Sequence, residues 1–199
     1  LVWEALPAKF DHGAFLGNGL MGTTIYTDGP DRLRFEIGRS DVTDHRRGNG
    51  RLPIGGMILK TAGVITNGTL RTDLWNAETR GELATDKGRI RFRALVHADE
   101  LALLAEVGAE GGERGAAFVW EPEKAEVYRD AKNGVTADPN PPPETGSENG
   151  AGFCEQRRAA GGAYAVAWDV RGAPERRLLT LTVADTFPTS LTGVTWTST

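Results

Sequence analysis

Phe15-Leu16-Gly17-Asn18-Gly19-Leu20-Met21-Gly22-Thr23-Thr24-Ile25-Tyr26, followed after a short break by Arg32-Leu33-Arg34-Phe35-Glu36-Ile37-Gly38-Arg39-Ser40-Asp41-Val42-Thr43-Asp44-His45, decides the fold class. Gly17, Asn18 and Gly19 tolerate backbone conformations closed to other residues, which predicts a tight approach just ahead of an apolar strand. Residues 23–26 are β-branched and aromatic, and Asp28-Gly29-Pro30-Asp31 reads as a turn. Leu33, Phe35 and Ile37 then alternate with Arg32, Arg34 and Glu36, so the second strand of this hairpin buries one face. It delivers Arg39, Asp41, Asp44, His45, Arg46 and Arg47 to a strand end, where loops on a rigid sheet tend to carry sites.

The same pattern extends in both directions. Residues 1–12 hold Trp3, Leu6, Pro7 and Phe10 without periodicity, as in a lead-in packed by its aromatics. Residues 48–50 read as a loop, and residues 52–59 as a strand whose Pro53, Gly55 and Gly56 mark an edge or a bulge. Asn67-Gly68 predicts a hairpin turn. Residues 71–75, 82–85 and 89–96 form an antiparallel meander, with Ile90, Phe92, Ala94 and Val96 facing inward. Residues 101–108, 116–122, 163–168 and 178–184 complete the series of strands, which places Trp75, Trp120 and Trp168 in the core. Residues 132–152, centred on Pro139-Asn140-Pro141-Pro142-Pro143, read as a long Pro/Gly-rich surface loop, and residues 187–199 as a Thr-rich end. Short strands at spacings of roughly 8 to 12 residues signify a sandwich or barrel. The expectation is a single all-β domain over residues 1–199, a large antiparallel β-sandwich of the supersandwich kind with few or no helices.

Composition narrows the function classes. A net charge of −4 over 199 residues leaves no basic footprint for nucleic acid. No apolar run approaches a membrane span, since residues 101–107 are too short and carry Glu106. Cys154 is the only cysteine, so no internal disulfide forms, and a small buried hydrophobe is its default role. Leu rather than Met at position 1 suggests a processed or excised product.

The aromatic-Leu-Gly-Asn-Gly-Leu-Met-Gly run at residues 15–22, a Gly/Asp turn and a second strand ending in Gly38-Arg39-Ser40-Asp41-Val42-Thr43-Asp44 resemble the start of the N-terminal β-sandwich of glycoside hydrolase family 95 and its uncharacterised relatives. The likeness is best over residues 1–120. It implies a non-catalytic sandwich that packs on a following helical (α/α)6 barrel carrying the catalytic acid and base, a carbohydrate ligand, no cofactor, and a secreted or periplasmic location. This sequence lacks the arginine of the family's Gly-Asn-Gly-Arg segment, so α-fucosidase specificity does not carry over.

The residues themselves support a sugar-binding rim at Asn18, Arg39, Asp41, Asp44, His45 and Arg46, since such side chains hydrogen-bond vicinal hydroxyls in planar pairs. The competing reading has Asp41 and Asp44 capping turns and pairing with Arg39, Arg46 or Arg47. No nucleophile elbow, phosphate loop or dinucleotide fingerprint occurs. Three hypotheses follow: a sandwich that serves a glycoside hydrolase, an independent carbohydrate-binding module, and a metal-dependent enzyme using Asp41, Asp44 and His45.

Overall fold

The computed structural model describes residues 1–46, 50–132 and 138–186. Residues 47–49, 133–137 and 187–199, and with them Arg47, Trp196 and the Thr-rich end, lie outside the described residues. Two antiparallel sheets face each other, as expected of a sandwich. The smaller contains β2 (Ala14–Gly17), β3 (Met21–Thr27), β4 (Arg32–Arg39), β7 (Gly55–Lys60) and β12 (Ala117–Pro122), in the order β12-β7-β4-β3-β2. The larger contains β1 (Val2–Trp3), β8 (Ile65–Asp73), β9 (Glu78–Thr85), β10 (Gly88–Val96), β11 (Ala102–Gly111), β13 (Glu144–Glu148), β14 (Ala151–Arg157), β15 (Ala163–Ala173) and β16 (Arg176–Thr186). Its order is β1-β8-β9-β10-β11-β16-β15-β14-β13. A two-stranded ribbon joins β5 (Thr43–Asp44) to β6 (Gly50–Arg51), and the one α-helix among the described residues, α1, covers Tyr128–Lys132.

The opening hairpin folds as its pattern requires. β3 and β4 pair antiparallel with Met21 opposite Arg39 and Thr27 opposite Leu33. Leu33, Phe35 and Ile37 point into a continuous apolar core, where Phe35 meets Phe92 of β10 edge to face at 5.7 Å between centroids. The outer face of β4 is also covered: Arg34 is buried beneath Glu36, Glu121, Glu123 and Asp28. Gly56 makes this possible, because a Cβ there would come within 2.7 Å of the Arg34 guanidinium. Burial raises the Glu36 carboxyl above its usual range, against the opposing pull of Arg34.

Several sequence expectations need correction. Asn67-Gly68 lies inside β8, paired with Ala84 and Leu83 directly after a bulge at Thr66, and is not a hairpin turn. The chain instead crosses between sheets at residues 61–64, held by the fully buried Glu113 carboxylate, which accepts hydrogen bonds from the Ala62 and Gly63 amides at 2.9 and 2.8 Å. β7 is an interior strand between β4 and β12; Pro53 precedes it, so the missing amide proton interrupts no ladder. Trp75 is 94 % exposed, because β8 ends at Asp73, whose carboxylate caps the turn that follows. Of residues 132–152, those from 138 onward lie largely at the surface, yet the C-terminal part is ordered as β13, which pairs with β14 across the Asn149-Gly150 turn. Both turn residues have positive φ, 51° and 88°, as a two-residue hairpin demands.

Unequal sheet width shapes the rest of the molecule. With five strands facing nine, β12 ends the smaller sheet above β15, while β14 and β13 extend beyond it. At one end of the sandwich the chain after β12 covers this overhang: Gln156 donates to the Pro141 carbonyl at 2.6 Å and Asn140 to the Ala125 carbonyl at 2.6 Å. At the other end the overhang is open among the described residues.

Candidate functional site

The residues expected to form a sugar rim gather at one end of the sandwich, where the β2–β3 turn, the end of β4, the β10–β11 loop and the end of β16 meet. Asn18 sits in the β2–β3 turn. Its carboxamide oxygen accepts from the Leu20 and Met21 amides at 3.1 and 2.8 Å. Its amide nitrogen donates to the His97 and Glu100 carbonyls at 2.9 and 3.2 Å. All its hydrogen-bonding capacity is therefore directed into the protein, and it ties the smaller sheet to a loop of the larger.

Arg39 is buried and grips both oxygens of Asp41 through Nε and Nη2, at 2.7 and 2.8 Å, while Nη1 donates to the Val183 carbonyl at 2.5 Å. Arg46 repeats the fork on Asp44, with Nε and Nη2 at 2.9 and 2.6 Å, and reaches the Asp138 carbonyl at 2.6 Å. Hydrogen bonding from Arg46 holds the Asp44 carboxyl below the usual carboxylate range. Each planar pair keeps an exposed rim, with 25 % of the Asp41 and 22 % of the Arg46 side chain open to solvent. His45 lies half-buried in the turn after β5.

Beneath these pairs lies a group that the sequence pattern did not single out. The Arg158 and Asp185 side chains are both fully buried and joined at 2.5 Å, with the Arg158 guanidinium 5.5 Å from the Tyr164 ring centroid. Burial raises the Asp185 carboxyl above its ordinary value; Arg158 opposes this and the Asp41 charge adds to it. Among the described residues, Asp185 Oδ2 and Arg158 Nε have no hydrogen-bond partner. The signal was obscured because Arg158 follows β14 without alternation and Asp185 is the penultimate residue of a Thr-containing strand.

The second concave feature is the open overhang, a groove of about 600 Å³ between β12 and β13. One wall is β12 itself; the other is Thr145 to Gly150; Trp168 and Val170 form the floor and Arg177 closes one end. Trp120 and Trp168 stack at 5.7 Å with 25° between their planes. Trp168 lies across Gly152, where a Cβ would approach its ring to 2.3 Å. Thr145 and Ser147 pair with the inward-facing Cys154 and Gly152, so their hydroxyls share the groove face. Trp120 and Trp168 are thus half-buried at the mouth of the sandwich and not in its centre. Burial raises the Cys154 thiol, against a weaker pull from the Trp120 indole.

Among the described residues no three His, Cys, Asp or Glu side chains are grouped to hold a metal ion. Nor is any helix there long and apolar enough to cross a membrane. No protein-family model matches the chain, and no curated protein matches its sequence.

Proposed function

We propose that this chain is a non-catalytic β-sandwich domain of a glycoside hydrolase related to family 95, which packs on a helical catalytic barrel and lends its polar end as a wall of the carbohydrate cleft. The observation that carries the reading is the meeting, at one end, of the two stretches on which the family resemblance rests: the Asn18 turn and the strand end running from Arg39 to Arg46. Their chemistry suits a wall better than a catalytic centre. Asp41 and Asp44 are both gripped by guanidinium forks, and at Asp44 hydrogen bonding from Arg46 favours the ionised form, which lacks the proton that general acid catalysis needs. The parts open to solvent are the Asp41 carboxylate of one pair and the Arg46 guanidinium of the other, an acceptor and a donor suited to sugar hydroxyls. A secreted or periplasmic location goes with this reading.

Two measurements test it. Turnover of aryl glycosides by the purified chain is expected to be nil, and detectable turnover abolished by Asp41→Asn would overturn the reading. The reading frame of the gene after Thr199 is expected to continue into helical periodicity over a barrel's length. A stop codon there would favour an independent carbohydrate-binding module.

A further inference from the structure

We propose that the exposed edge of β12, with the groove beside it, takes an extended polypeptide segment as an additional strand of the smaller sheet. Each sheet has two edges, and three of the four carry devices against pairing. β1 has two residues, β2 has four, and β13 begins and ends with glutamate around Gly146. β12 has none of these along its first four positions, Ala117-Phe118-Val119-Trp120, and Val119 is 43 % exposed. Antiparallel pairing with β7 satisfies one side of the strand, leaving the amides and carbonyls of alternate residues directed away from the sheet.

The space beside this edge fits a strand. Paired strands lie about 4.8 Å apart and facing sheets about 10 Å. A strand added to β12 would therefore lie over the uncovered inner face of β14 and β13, with alternate side chains toward Gly152, Thr145 and Ser147. A sugar ring has less to bind here, because Trp120 and Trp168 use their faces on each other and on Gly152. Charge narrows the occupant further. Arg177 is held by the Ala116 and Arg114 carbonyls, whereas the exposed Glu148 has only a 3.5 Å contact with its neighbour Asn149. The segment that fits alternates β-branched and polar residues and carries lysine or arginine near Glu148.

The test is an amide NMR titration of the full chain with a Lys-flanked peptide of alternating Val and Thr, a Glu-flanked version, and a Lys-flanked counterpart N-methylated throughout. The proposal expects shifts confined to β12, β13 and the Trp120 and Trp168 indoles, and binding about tenfold weaker for the N-methylated peptide. Glu148→Lys should reverse the preference between the Lys- and Glu-flanked peptides. Ser147→Trp should fill the groove and abolish the shifts with the unfolding midpoint unchanged. Absence of shifts at millimolar peptide, or equal binding of the N-methylated peptide, would overturn the proposal. So would the same resonances moving with oligosaccharides, or with self-association that Val119→Lys abolishes, since the occupant would then be a glycan or a second copy.

Discussion

The polar end, built on Asn18 and two Arg–Asp pairs, and the open groove, lined by Trp, Val, Thr and Ser, are used in opposite ways. At the polar end Asn18, Arg39 and Arg46 direct their hydrogen bonds to protein atoms across three loops, so the side chains hold the two sheets in register. Along the groove, Thr145 and Ser147 face space, and among the described residues no strand lies beside one side of β12. The difference is one of coverage: among the described residues, Ala125, Asn140 and Pro141 are held over the overhang at one end, through Gln156 and the Asn140 side chain. Substitutions of Asn18 and Arg158 should therefore be read in stability, and those along the groove in binding.

The largest expected effect is Arg158→Ala, which leaves Asp185 buried without its ion-pair partner. Equilibrium urea unfolding should show a loss of roughly 3–5 kcal/mol; a loss under about 1 kcal/mol would mean the pair is not the structural centre of this end. Asn18→Ala comes next. It removes bonds to two amides and two carbonyls, and a loss of about 1–3 kcal/mol is expected by the same measurement.

The pH dependence should separate the two aspartates by sign. The lowered Asp44 carboxyl contributes stability that is present above its unfolded pKa of about 4 and lost as pH falls through the lower folded value, so Asp44→Asn should flatten the acid limb of the unfolding curve. The raised Asp185 carboxyl acts oppositely. Its contribution is full below the unfolded value and lost as pH rises through the folded one, so the deficit of Asp185→Asn should shrink with rising pH. The smallest effect belongs to the groove: Val119→Lys should change stability by less than about 0.5 kcal/mol, since the side chain stands on an outer edge.

How much of this was legible in the sequence follows the range of the interactions. Local alternation located the β3–β4 hairpin, the meander through β10 and the central β16, because a half-buried strand writes its burial into a period of two. It did not distinguish Asn67-Gly68 from Asn149-Gly150. Asn149-Gly150 is the hairpin turn, concealed by the prolines before it, whereas Asn67-Gly68 lies within a strand because Leu6 packs over Gly68. Trp75 was misplaced for a related reason: the alternating pattern ran two residues past the end of β8. The clustering of Asn18 with Arg39 through Arg46 followed from the hairpin. The Arg158–Asp185 pair and the groove depend on which strands face each other and on unequal sheet widths, and neither is encoded in a local period.

Amide hydrogen exchange, resolved residue by residue, tests most directly the contrast between a closed end and an open edge. The account predicts strong protection at Met21 and Ser40, whose amides donate to Asn18 Oδ1 and the Leu20 carbonyl, together with fast exchange at every second amide of β12. Uniform protection along β12 in the free chain, or fast exchange at Met21 and Ser40, would contradict it.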